Sequence, residues 1–185
     1  MRKLVVTENC TVDGVIEMTG GWFDPLSTKV DQSDIVAATA EHRAAADALL
    51  VGRQTFEDFR GFWPQQTDDP TGVSTYLNSV RKYVVSSTLA EPDWQNSTVL
   101  SGPLVDEVRS LKAEQGKDIV ATGSIRLVRA LIAADLVDEY RLFVYPVVVG
   151  GGTRLFGSAG IGLTLLEARP FVSGAVLLRY APEHR

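Results

Sequence analysis

Short runs of β-branched and aliphatic residues alternate along this chain with stretches in which apolar positions recur at helical spacing. Leu4 to Thr7 reads as a first buried strand. Residues 8 to 31 follow with Gly14, Gly20, Gly21 and Pro25 and little periodicity. That exceeds the roughly 12 to 15 residues beyond which structureless connections are uncommon and often serve as binding loops. A helix is predicted from about Ser33 to Asp47, with Ser33 as its N-cap, running into the strand Ala48 to Val51. Strands at Tyr83 to Val85, Thr98 to Leu100 and Ile119 to Ala121 alternate with helices at about Leu104 to Glu114 and Ile125 to Ala134. Alternation of this kind predicts an α/β fold with a mostly parallel sheet and helices on both faces. From Tyr140 to Tyr145 the character changes. A Gly150-Gly151-Gly152 turn leads to Leu163 to Leu165 and Phe171 to Tyr180, with no helix between and a tight turn at Ser173-Gly174, so the sheet is expected to end in an antiparallel hairpin.

Composition narrows the function classes. A chain of 185 residues that is 45% hydrophobic and 22% charged is expected to form one domain over residues 1–185. Its net charge of -5 lacks the basic footprint that nucleic acid requires. The single cysteine, Cys10, forms no internal disulfide and no cysteine-rich metal site, which fits a reducing cytoplasm. Neither a signal peptide nor a membrane span is expected, and His42 and His184 read as surface residues rather than metal ligands.

Three strand ends carry chemistry. Val51-Gly52-Arg53-Gln54-Thr55 enters a helix directly, where a glycine lets a phosphate approach the backbone, the helix start offers amides, and Arg53 and Thr55 add a charge and a hydroxyl. Val85 is followed by Ser86, Ser87 and Thr88. Ala121-Thr122-Gly123-Ser124-Ile125 repeats the strand, small-residue turn and helix. Each alone could be an ordinary turn or cap; three at successive strand tips point to one crevice for a phosphate-bearing ligand. The spacings match neither Gly-x-Gly-x-x-Gly nor a P-loop. Trp22-Phe23 could wall a pocket or pin the long loop.

Asp13-Gly14, the segment Ala46 to Glu57, Val84 to Leu89, Gly123-Ser124 and Tyr145 to Gly152 with Leu155-Phe156, in this order, resemble the bacterial dihydrofolate-reductase-like family, whose relatives include the RibD C-terminal reductase domain of riboflavin biosynthesis. The resemblance implies the three-layer fold of that family and an oxidoreductase using NADPH on a pterin or aminopyrimidine, similar to 5-amino-6-(5-phosphoribosylamino)uracil reductase. It also leaves open a dihydrofolate reductase or a non-catalytic NADPH-binding protein. By position it implies that Gly52, Arg53 and Thr55 hold phosphates, and that Ser86, Ser87 and Thr88 flank the 2'-phosphate. Gly123, Ser124, Ile125 and Leu127 would cradle the pyrophosphate, with the nicotinamide beside the first strand. Asn9, Asp13 and Trp22 would face the substrate, with Asp13 or Asp34 relaying a proton. The apolar run Phe143 to Val149 and the late hairpin suggest a homodimer.

Overall fold

A computed structural model describes the chain except residues 19, 25, 28, 158–159 and 184–185, so Pro25 and His184 lie outside the described residues. Strand β1 (Leu4–Thr11) runs further than the apolar pattern implies, through Glu8, Asn9 and Cys10. It can do so because β5 and β6 flank it on both sides and complete its ladder. Then come α1 (Ser33–Ala44), β2 (Ala46–Gly52), α2 (Arg53–Phe62), α3 (Val73–Ser79) and β3 (Arg81–Val85). They are followed by β4 (Ser97–Leu100), α4 (Leu104–Ala113), β5 (Asp118–Ala121), α5 (Ile125–Ala133), β6 (Glu139–Tyr145), β7 (Leu163–Pro170) and β8 (Val176–Pro182).

The eight strands form one sheet in the order β4-β3-β2-β5-β1-β6-β8-β7. All neighbours from β4 to β6 are parallel, and β8 pairs antiparallel with both β6 and β7. The α/β fold with a mostly parallel sheet and an antiparallel end is therefore as the sequence implies. Side chains alternate across it: Leu4, Val6, Ala48, Leu50, Ile119 and Ala121 pack with Val108, Leu111, Val128 and Leu131 of α4 and α5. On the other face Leu49, Val51 and Val84 meet Phe56 and Leu77 of α2 and α3, and Phe143 and Leu177 meet Ile35 and Ala38 of α1. Helices thus cover both faces. Complete burial of each Leu or Val in β1 contributes about 1.5–3 kcal/mol.

Several local expectations change. Helix α1 ends at Ala44, and Asp47 belongs to β2, where it pairs with the buried Arg2. Ser33 is the first helical residue rather than the cap; Gln32 holds that position without a side-chain bond, and Asp31 accepts the Ser33 amide at 2.9 Å. His42 is half-buried rather than a free surface residue. It extends the buried stripe Ile35 and Ala38 and meets Phe143 edge-on at 6.0 Å.

Beneath α1 the sheet carries an ionic cluster. Glu139, 1% exposed, accepts from Arg141 at 2.7 Å and Arg179 at 2.9 Å, and Arg179 also reaches Glu167 at 2.9 Å. Burial, reinforced by Arg141, Arg179 and Arg169 and opposed by Glu139, pushes His42 down to about 4. The unfolded chain takes up a proton near pH 6.5 that the native state refuses until about pH 4, so stability is lost as pH falls through that window. Allowing for partial exposure, we expect roughly 1–2 kcal/mol more loss between pH 7 and 4.5 than in His42→Leu. Urea unfolding of both proteins at the two pH values measures it; parallel pH profiles would count against the assignment.

Candidate active site

The register places the three sequence-defined junctions on adjacent strands at one sheet edge. Leu50 pairs with Ala121, and Gly52 pairs with Val85, so the chain leaves β3, β2 and β5 side by side. Two of the junctions are tied directly. The Gly52 amide donates to Ser124 Oγ at 2.7 Å, and the Ser124 amide donates to Thr55 Oγ1 at 2.8 Å. The Ser124 hydroxyl occupies the N-cap position of α5 yet makes no cap bond, and α2 likewise starts at Gly52 without a side-chain cap. First-turn amides that no side chain has taken stand next to each other, with the positive ends of two helix dipoles behind them.

Gly123 makes that closeness possible. Its φ is +58°, and a Cβ there would lie 2.9 Å from Thr55 Cγ2 and 3.1 Å from Oγ1. Ser124 itself adopts φ 47°, stabilised by the two hydrogen bonds just described. At the third junction Ser86 Oγ accepts the amides of Thr88 at 3.2 Å and Leu89 at 3.0 Å, so that hydroxyl folds the turn and presents Ser87 and Thr88 to solvent. Arg53 is exposed and pairs with Glu57 at 3.2 Å, an i, i+4 contact weak enough to exchange for another anion. Ile125 and Leu127 lie in the first turn of α5.

Beyond β1 lies a second feature. A cleft of about 330 Å³ is lined by Trp22, Phe23, Lys29, Gln32, Tyr145 and Ser173, among others. Its wall is aromatic: Phe23 and Tyr145 meet edge-on at 5.4 Å, and Trp22 contacts both, at 5.9 and 5.8 Å. Trp22 Nε1 donates to the Glu17 carbonyl at 2.9 Å, so the ring is anchored to the loop as well as exposed to the cleft. Burial, helped by the neighbouring Cys10, pushes Tyr145 up to about 12 and keeps its hydroxyl protonated.

The two sequence-chosen carboxylates occupy structured positions. Asp13 accepts from Thr11 Oγ1 at 2.6 Å and from the Gly150 and Val149 amides at 2.9 and 3.4 Å, joining the exit of β1 to the glycine triplet. The Thr11 hydroxyl and these two amides hold its carboxyl below the usual range, making Asp13 an acceptor at neutral pH. Asp34 accepts the Val172 amide at 2.8 Å and so abuts the β7–β8 turn whose Ser173 lines the cleft. Asn9 stands opposite Phe143 on the face that α1 covers.

Residues 2–177 match the family model described as the RibD C-terminal domain. The chain belongs to the RibD C-terminal domain family. The uncharacterized protein YyaP of Bacillus subtilis (strain 168) is 32% identical over 183 residues, covering 97% of this chain and 94% of the relative. Among solved structures, a pyrimidine reductase-like protein from Corynebacterium diphtheriae superposes with a TM-score of 0.69 at 16% identity, over 100% of this chain and 93% of the other. Dihydrofolate reductase from Enterococcus faecalis, complexed with NADP(H), gives 0.67 at 16% identity over 98% and 97%. These two share the fold with this RibD C-terminal domain; the family supports a reductase-type role. Among the described residues no helix is long and apolar enough to cross a membrane, and no histidine, cysteine or carboxylate cluster could hold a metal.

Sequence reasoning overlooked Tyr145, Lys29 and Gln32 as cleft residues, and it overlooked Glu8 altogether. The signal for Glu8 was present: within Leu4 to Cys10 the period of two puts it on the same face as Leu4, Val6 and Cys10, where a carboxylate is out of place.

Proposed function

We propose that this RibD C-terminal domain protein is an NADPH-dependent reductase of a small heterocycle of the pterin or aminopyrimidine class. The observation that carries the reading is the tie between Gly52, Thr55 and Ser124, which holds two uncapped helix starts together at the same end of the parallel sheet as an aromatic cleft. The residues fit a dinucleotide. Only glycine at position 123 lets the turn close against Thr55, and the amides brought together suit a pyrophosphate. Gly52, Arg53 and Thr55 with Gly123, Ser124, Ile125 and Leu127 would hold the phosphates. Ser87, Thr88 and Arg53 would favour a 2'-phosphate and hence NADPH over NADH.

When bound, the nicotinamide supplies the hydride. The protein's own part is orientation and exclusion of water: Trp22, Phe23 and Tyr145 offer flat apolar faces to a heterocycle, and Asn9 one face of β1. Asp13 fixes the loop that carries Trp22 against the glycine triplet, and Asp34, at the cleft margin, is the candidate proton relay. A homodimer belongs to the same reading, and light scattering reads it directly.

Tryptophan fluorescence and melting temperature, titrated with NADPH and NADH in parallel, should both respond and should favour NADPH by about tenfold or more, equivalent to 1.4 kcal/mol. An acceptor panel of pterins and aminopyrimidines then reads turnover. Absence of any response to saturating NADPH would sink the proposal.

A further inference from the structure

A second cavity, of about 300 Å³, opens at the end of the sheet opposite the glycine junctions, where β2 and β3 begin. Arg43, Asp47, Tyr76, Ser79 and Arg81 line it, from the ends of α1 and α3 and the starts of the two strands. Its two cations have no carboxylate partner. Arg43 is half-buried, and its one hydrogen bond among the described residues goes to the Thr71 carbonyl at 2.7 Å. Burial, opposed by Tyr76 and Asp69, holds this guanidinium below its usual range, as for a charge drawn from water without full compensation. Arg81, beside Ala48, is exposed and makes no hydrogen bond or ion pair among the described residues.

The groups that could answer these cations are already engaged. Asp47 binds the buried Arg2 through one oxygen and accepts the Lys117 amide at 3.1 Å through the other. Asp69 accepts the amides of Thr71 and Ser74, both at 2.8 Å. The carbonyls at the negative ends of both helices are covered as well: Lys117 Nζ reaches Ala44 at 2.7 Å, Lys82 Nζ reaches Leu77 at 2.6 Å, and Gln95 and Asn96 reach Asn78 at 2.9 and 3.1 Å. Burial pushes Tyr76 up to about 12, so its hydroxyl, which feels the charges of both Arg43 and Asp47, stays a donor. We infer that this cavity is an anion-binding site, taking a phosphate or carboxylate group of a small organic ligand between the guanidinium groups of Arg43 and Arg81 and the hydroxyl of Tyr76. Planar guanidinium forks suit either oxyanion, and an anion between them removes the repulsion of two unanswered cations. The volume lies at the lower end of ligand pockets, about 300 to 1,000 Å³. From Asp47 to Gly52 the strand runs roughly 17 Å, so the site is separate from the cradle and the inference stands without the dinucleotide reading.

Calorimetry and melting curves with inorganic phosphate and with succinate, on the full chain, test this. Wild type should bind at least one of the two anions and melt higher with it; tighter binding of phosphate marks a phosphate-bearing ligand, and tighter binding of succinate a carboxylate. Arg81→Gln should weaken that binding about tenfold or more, while melting without anion within about 2 °C of wild type, because Arg81 is exposed. Arg81→Lys, which keeps the charge but not the fork, should lose only a few-fold, and Arg43→Gln combined with Arg81→Gln should abolish binding here. Phosphate held at the cradle alone would bind Arg81→Gln as it binds wild type. That result, or no binding of either anion to wild type at millimolar concentration, would overturn the inference.

Discussion

Gly123→Ala should weaken NADPH binding by about 100-fold or more while costing only about 1–3 kcal/mol of stability. The added methyl meets two penalties at once. At φ +58° an alanine sits in the left-handed region, and its Cβ would press to 2.9 Å on Thr55 Cγ2. Thr55 must move, the Ser124 amide loses its 2.8 Å acceptor, and the two helix starts separate. Gly61→Ala is the matched control: it lies at the far end of α2, and a Cβ there would meet nothing within 4 Å. Calorimetry with NADPH and urea unfolding on both variants separate the effects. Equal binding by Gly123→Ala and wild type would remove the cradle from the mechanism.

Glu139→Ala should destabilise the fold by about 3–5 kcal/mol, a large share of the 5–15 kcal/mol typical of a domain. Arg141 is 4% exposed and would keep its charge beneath α1 with only the longer 3.2 Å contact to Asp118, while Arg179 would retain Glu167 alone. Replacing Glu139 and Arg141 together by leucines should recover most of the loss, because the penalty comes from the orphaned cation. Denaturation midpoints of the single and double variants decide between this and a simple loss of contacts, for which the double variant would be the worse.

What could be read from the chain was whatever is encoded locally. The glycine and hydroxyl junctions after Val51, Val85 and Ala121, and the turn at Ser173-Gly174, sit where the residues say, because backbone freedom and helix starts are short-range properties. Helix α3 escaped notice because Val73-Ser74-Thr75-Tyr76-Leu77-Asn78-Ser79 is short and poor in strong helix formers; it is held by Ser74 Oγ on the Trp63 carbonyl at 2.7 Å and by buried Lys82 Nζ on the Leu77 carbonyl at 2.6 Å. Both partners lie outside the helix itself. The extension of β1 was hidden for the same reason: Glu8 and Asn9 look like loop residues until β6 is known to pair through Thr11. Nor could spacing alone show that Ser124 and Gly52, far apart in sequence, share a hydrogen bond.

Strand β1 also acts as a partition. Its successive residues Glu8 and Asn9 look out on opposite sides of the sheet, Glu8 toward the face covered by α4 and α5 and Asn9 toward the face covered by α1. The proposed dinucleotide half of the candidate site is built from sheet register and helix starts, which tolerate little change. The cleft half draws most of its wall from the connection after β1, tethered chiefly at Asp13 and at the Glu17 carbonyl. Divergence can therefore rewrite what enters the cleft without disturbing what lies across the glycines, and a family sharing one cradle can be expected to differ most in residues 17 to 32.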